Sequence, residues 1–200
     1  MNPDYSHKIA RIISTIFVPP SFTLLIFIFF AFYLENDFTK TLETILISVV
    51  FGFIMPIALY FILKKKGKII DVDASIKEER TFPYFIAIIF YLIGLLLMVC
   101  FQLNIITIAF WFCYLSNTLI TIAINHYWKI SAHSMGAAGP FAALLFSVGM
   151  WALLFSPIVI AVGWSRIKLN CHTFLQVTAG ILLALVSTYL QMYLIILNFR

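Results

Sequence analysis

His133 and His172 stand in two short polar stretches, KISAH (129–133) and SRIKLNCH (165–172), of a chain otherwise dominated by apolar residues. A third polar stretch, DVDASIKEERTFPY (71–84), adds Lys77 and Arg80. Together the three offer the cations Lys77, Arg80, Lys129 and Arg166, the hydroxyl of Ser131, and two imidazoles that titrate near neutral pH. Cations and hydrogen-bond donors grouped around histidines suit a phosphoryl group, whose oxygens carry negative charge that grows during transfer. Residue types and spacing alone specify an anion site of phosphate-like chemistry and no more.

The elements that must hold these stretches together are membrane helices. Hydrophobic residues make up 63% of the 200 and charged residues 10%, whereas a soluble domain carries about a quarter of its residues charged. The apolar runs reach the roughly 20 residues that cross a bilayer. They lie near 12–34, 42–63, 84–101, 104–125 and 173–197, with a longer region at 134–164. That region is too long for one upright helix. Gly149 interrupts it, and Ser156-Pro157 disturbs it again, so it is expected to fold as a hairpin of short helices near 134–148 and 151–163. The fold expected is all-α: a polytopic helical bundle with six to seven membrane segments, forming one domain over 1–200. The opening MNPDYSHKIARI lacks the organisation of a secretory signal, so the first apolar segment is expected to be retained. Three cysteines without a CxxC pair predict neither a disulfide framework nor a structural zinc site.

With the hairpin in place, the N-terminus and loops 64–83, 126–133 and 163–172 share one face of the membrane, together with all four histidines. Of the 13 Lys and Arg residues, only Lys40 and Arg200 fall on the other face. The positive-inside rule then makes the basic face cytoplasmic. The charge run LKKKGK (63–68) reads as a solvated helix end that also touches anionic headgroups. Asn117 and Asn125, polar inside a span, are expected to bond neighbouring helices or to line a substrate path. Gly136 and Gly139 are expected to let helices approach closely.

SRIKLNCH has the form S-R-x5-H and continues as T-F-L-Q-V-T-A-G, with Val177 and Gly180. It resembles the third motif, S-R-x5-H-x3-D, of the type 2 phosphatidic acid phosphatase superfamily of membrane lipid phosphatases. ISAH (130–133) resembles that family's P-S-G-H motif, with Ser131 and His133 kept. The 32 residues from His133 to Ser165 suit the two short helices between these motifs in small bacterial members. The likeness covers roughly residues 70–180. It implies an integral-membrane, metal-independent phosphatase without cofactor, with a membrane lipid phosphate or polyprenyl diphosphate as substrate, no nucleic-acid partner, and a bacterial inner membrane as its location. It implies His172 as nucleophile, His133 as general acid, and Arg166, Arg80, Ser131 and Lys77 as phosphate-binding. Splitting the transfer through a covalent intermediate needs such a nucleophile and a separate acid.

The sequence departs from the family pattern at definite positions. The first motif is K-x6-R-P, yet Asp73 stands seven residues before Arg80 and the proline comes at Pro83. Lys77 or Lys129 is expected to replace the missing lysine charge. Ile130 and Ala132 replace the Pro and Gly of the second motif. Gln176 stands where the family has Asp; four residues along a helix from His172 it would orient the imidazole without supplying charge. One of Asp71, Asp73, Glu78 and Glu79 could supply that charge instead. Two further function classes stay open: a relative that binds a phospholipid or polyprenyl phosphate without hydrolysing it, and a membrane transporter. A magnesium-dependent prenyltransferase is disfavoured, since Asp71/Asp73 is the only close acidic pair of the kind it needs. Oligomeric state is not legible.

Overall fold

The structure, a computed structural model, describes residues 3–70 and 78–199. The described residues fold as α-helices α1 (Pro3–Ile16), α2 (Pro19–Leu34), α3 (Phe38–Ile47), α4 (Met55–Lys65), α5 (Glu78–Cys100), α6 (Ile105–Tyr127), α7 (Ala132–Val148), α8 (Ser156–Lys168) and α9 (Phe174–Asn198), with no strand among them. Five helical stretches are long and apolar enough to cross a membrane, or six if α1 and α2 count as one broken span.

The first apolar run is not one helix. Pro19 and Pro20 carry no N–H, and a proline drives the residue before it out of the helical region. Val18 accordingly sits at φ −76°, ψ 154°, and α1 departs from the direction of α2 by 54°. Pro56 acts more gently: a π-helical turn at Ser48–Ile54 takes up the irregularity, so 38–65 stays one span.

The expected hairpin forms, with a shifted second arm. Gly149 ends α7 at φ +64°, a conformation that residues with a Cβ rarely adopt. A 3-10 turn then occupies Gly149–Phe155, and α8 starts only at Ser156-Pro157, where a proline in the first turn is tolerated. The arm expected at 151–163 therefore runs from 156 to 168. Lys129, before α7, donates from Nζ to the Cys171 carbonyl, after α8, at 2.7 Å. The hairpin has thus returned the chain to the face it left.

Polar contacts fix the opposite face. Glu35 Oε1 accepts from the Asn104 N–H at 2.8 Å, and Lys40 Nζ donates to the Gln102 carbonyl at 2.8 Å. The turns near 35–41 and 102–104 are therefore neighbours, as the apolar segmentation required.

Between the two faces the core is aromatic. Trp111 is fully buried, donates from Nε1 to the Tyr91 carbonyl at 2.8 Å, and meets Phe27 edge-on at 5.0 Å between centroids. Lipid is as apolar as leucine, so apolar burial alone holds spanning helices together only weakly. A polar seam joins α6 to α9: Asn117 Oδ1 accepts from Ser187 Oγ (2.8 Å) and Gln191 Nε2 (3.2 Å), while its Nδ2 donates to Thr188 Oγ1 (3.0 Å). The expected bonding role of Asn117 is borne out. At Gly136, where α7 crosses α2, an added Cβ would lie 2.9 Å from the Pro19 Cβ.

Candidate functional site

The spacing R-x5-H has a local physical cause. α8 ends in a left-handed turn at Asn170, φ +54°. The Asn170 N–H donates to the Ile167 carbonyl at 3.0 Å and the Cys171 N–H to the Arg166 carbonyl at 3.1 Å, the two bonds of a Schellman cap. Asparagine is one of the few non-glycine residues suited to that position. The His172 N–H then also bonds to the Arg166 carbonyl, at 3.3 Å. Five residues between Arg166 and His172 are what one such cap requires, and the cap fixes the two relative to each other.

His172 lies in the loop before α9, so the helical i,i+4 relation expected between it and Gln176 does not hold. Thr173 is the N-cap, so His172 precedes the helix. Gln176 still reaches it, because Thr173 and Gln176 form a capping box: Thr173 Oγ1 accepts from the Gln176 N–H at 3.3 Å, and Gln176 Oε1 accepts from the Thr173 N–H at 3.2 Å. The same Oε1 lies 3.2 Å from His172 Nδ1. A backbone N–H can bond only to the amide oxygen, so the oxygen is what faces His172. With Nδ1 donating to that oxygen, a neutral imidazole keeps its lone pair on Nε2. Gln176 thus stands at Nδ1 in the orienting position expected for it. Glu79 Oε2 accepts from the Ile70 N–H at 3.3 Å.

The second stretch docks on the third. The Ser131 N–H donates to the Gln176 carbonyl at 3.4 Å. At Gly180, one turn further along α9, an added Cβ would sit 3.0 Å from the Ser131 carbonyl oxygen. A glycine here is what lets 130–133 lie directly against α9. Ser131 caps α7, its Oγ accepting from the Ser134 N–H at 3.4 Å and sharing a 2.9 Å hydrogen bond with Ser134 Oγ. Half-buried His133 sits in the first turn of α7. The N-termini of α7 and α9 thus lie side by side, and each brings partial positive charge to the same place.

Arg166 is fully buried, at 0% exposure, and His172 is 6% exposed. Nη1 of Arg166 donates to Ser14 Oγ on α1, a residue the sequence reading missed. Around this contact Ala10, Leu169 and Cys171 form a small apolar cluster that seats α1 on the loop before His172. The paired helix N-termini, with the Lys129 ammonium on the Cys171 carbonyl, bring positive charge to the loop that carries His172.

Of the expected site residues, the structure brings together His172, Gln176, Arg166, Lys129 and Ser131, with His133 on the adjoining turn. Lys77, Asp71 and Asp73 lie outside the described residues, as do the side chains of Arg80 and Glu78. The backbone of Arg80 is in the first turn of α5, one turn before Tyr84. Tyr84 lines a cavity of about 130 Å³ walled by α5, α6, α7 and α9 with Pro19 of α2, which extends from Ala132 and Gly136 past Tyr91, Tyr114 and Asn117. The cavity therefore runs from the level of the second stretch into the membrane-spanning part of the bundle.

Comparisons with family models, curated proteins and solved structures find no match for this chain.

Proposed function

We propose that the protein is an integral-membrane phosphatase that hydrolyses a lipid phosphate or polyprenyl diphosphate through phosphohistidine at His172. The observation that carries this reading is the contact of His172 Nδ1 with Gln176 Oε1 at 3.2 Å, in a loop where the His172 N–H bonds to the carbonyl of buried Arg166 at 3.3 Å. A phosphoryl nucleophile needs a basic nitrogen with a settled tautomer and a cation to bind the oxygens. The resemblance to the type 2 phosphatidic acid phosphatases names the same residues in those roles.

In this reading the Nε2 lone pair attacks phosphorus and forms the N–P bond while the P–O bond to the leaving group breaks. His133 gives that oxygen a proton. Water then attacks the phosphohistidine, giving up a proton to His133 and releasing inorganic phosphate and neutral His172. Arg166, the Ser131 hydroxyl and the bases Arg80, Lys77 and Lys129 neutralise the phosphoryl oxygens. The headgroup sits at the basic membrane face, taken as cytoplasmic, and part of one hydrocarbon chain enters the cavity below Ala132.

A second reading has one observation in its favour. Gln176 gives His172 a neutral partner where a carboxylate would stabilise the cationic phosphoimidazole, so the site could bind a phosphorylated lipid and turn it over negligibly. Phosphate release from phosphatidate, phosphatidylglycerol phosphate and polyprenyl diphosphate by purified protein with EDTA separates the two. Turnover abolished in His172→Ala supports hydrolysis. Binding without turnover supports the second reading, and neither binding nor turnover overturns both.

A further inference from the structure

Helix α1 presents three stripes, one of them buried against the rest of the fold. Ala10 and Ser14, one turn apart, are buried against α8 and the loop that follows it. On the opposite side Tyr5, Ile12 and Ile16 are exposed at 61%, 57% and 56%, with half-buried Ile9 in the same row. Their spacing of four, three and four residues is that of one helix face. Between these two stripes run His7, Lys8 and Arg11, all exposed. An exposed apolar row bordered by an exposed basic row is the pattern of a helix lying in a membrane–water boundary, its apolar side among acyl chains and its basic side at the headgroups.

The connection to α2 narrows the placement. Only Phe17 and Val18 separate α1 from α2, whose sixteen residues PPSFTLLIFIFFAFYL are wholly uncharged. A helix tethered so closely to a spanning helix stays at the boundary, and the 54° bend turns it out of the spanning direction. The same face of the bundle carries the exposed run Lys64, Lys65, Lys66 and Lys68 at the end of α4. The charge complement of this surface is an anionic leaflet.

We propose that α1 is an interfacial helix seated on anionic phospholipid headgroups, with Tyr5, Ile9, Ile12 and Ile16 in the acyl boundary and Lys8 and Arg11 against the phosphates. The partner is the lipid surface, and the proposal stands whether or not His172 is a nucleophile. Through Ala10 and Ser14 the seated helix also braces the turn between Arg166 and His172 from outside.

Site-directed spin labels on the full chain in nanodiscs test it, with Cys100→Ala removing the exposed thiol while Cys113 and Cys171 stay buried. Labels at Ile12→Cys, Ile16→Cys and His7→Cys are compared for collision with oxygen, which concentrates in the bilayer, and with a water-soluble nickel chelate. In discs of phosphatidylcholine with phosphatidylglycerol, the oxygen-to-nickel ratio at 12 and 16 is expected to exceed that at 7 several-fold. In pure phosphatidylcholine, or with Lys8→Ala/Arg11→Ala, that contrast should shrink. Nickel-accessible labels at 12 and 16 in both lipids overturn the placement. A contrast indifferent to phosphatidylglycerol and to the double substitution overturns the anionic partner. Dipolar broadening between labels at 12, marking a second copy on this face, overturns the lipid as occupant.

Discussion

Replacing Gln176 by Glu probes the element of the site that differs most from the family it resembles. The change is nearly isosteric and keeps the capping box, which accepts Glu or Gln at this position. A carboxylate in the first turn of α9 also suits the helix dipole, by about 0.3–1 kcal/mol. Folding is therefore not the variable under test. What changes is the partner of His172 Nδ1, now 3.2 Å from a neutral amide oxygen. Phosphorylation at Nε2 leaves the ring cationic, so a carboxylate gains as the reaction proceeds. A hydrogen bond to a charged group contributes about 1.5–3 kcal/mol where a neutral one contributes about 1, a floor of roughly twofold in rate. Two unit charges about 4 Å apart attract by about 4 kcal/mol at the effective dielectric near a protein surface, a ceiling of roughly 10³-fold. In serine proteases, the comparable Asp-to-Asn change costs about 10⁴ in kcat. Gln176→Glu should thus raise kcat between those limits, while Gln176→Ala, which loses both cap and ring contact, should lower it at least tenfold. The assay is steady-state phosphate release in detergent with EDTA. A rate unchanged in both variants would show that Gln176 only caps α9 and would refute the role given to the Nδ1 contact. Turnover appearing only in Gln176→Glu would favour the binding-only reading of the natural chain.

Ser14→Ala removes the hydrogen bond that Arg166 Nη1 makes across to α1; it should weaken orthovanadate binding by roughly fivefold or more, measured calorimetrically, and destabilise the fold by about 1–3 kcal/mol, read by thermal melting. Asn170→Gly should be neutral or mildly stabilising at φ +54°, whereas Asn170→Val should cost about 1–2 kcal/mol and lower activity by moving His172 from Arg166, read by thermal melting and phosphate release. Gly180→Val places a branched side chain where even a Cβ meets the Ser131 carbonyl at 3.0 Å; activity should be lost while detergent elution and helicity by circular dichroism stay native.

Much of this architecture is legible in the residues because membrane spans are set by length and apolarity, and both are local. The hairpin was foreseeable from Gly149 and Pro157, since each breaks a helix by its own covalent structure. The tandem Pro19-Pro20 carries the same kind of signal, and α1 was nonetheless merged with α2 because the apolar run continues across it. The Thr173-x-x-Gln176 capping box was equally readable, and would have shown that His172 and Gln176 do not share a helical turn. Ser14 was not readable: it lies 152 residues from Arg166, and nothing local marks one serine of an amphipathic helix as the partner of a distant guanidinium. The joining of Ser131 to Gln176 through backbone groups is also invisible to side-chain patterning, although Gly180 marks where it happens.

The central claim is that His172 Nε2 takes the phosphoryl group, and rapid quench tests it most directly. The protein is mixed with a ³²P-labelled lipid phosphate in EDTA and stopped in alkali, where phosphohistidine survives, with the labelled peptide identified by mass spectrometry. The account predicts label on the peptide carrying His172, lost on brief acid treatment, absent in His172→Ala and slow to form in His133→Ala. Phosphate release without any acid-labile protein label, or undiminished label in His172→Ala, would contradict it.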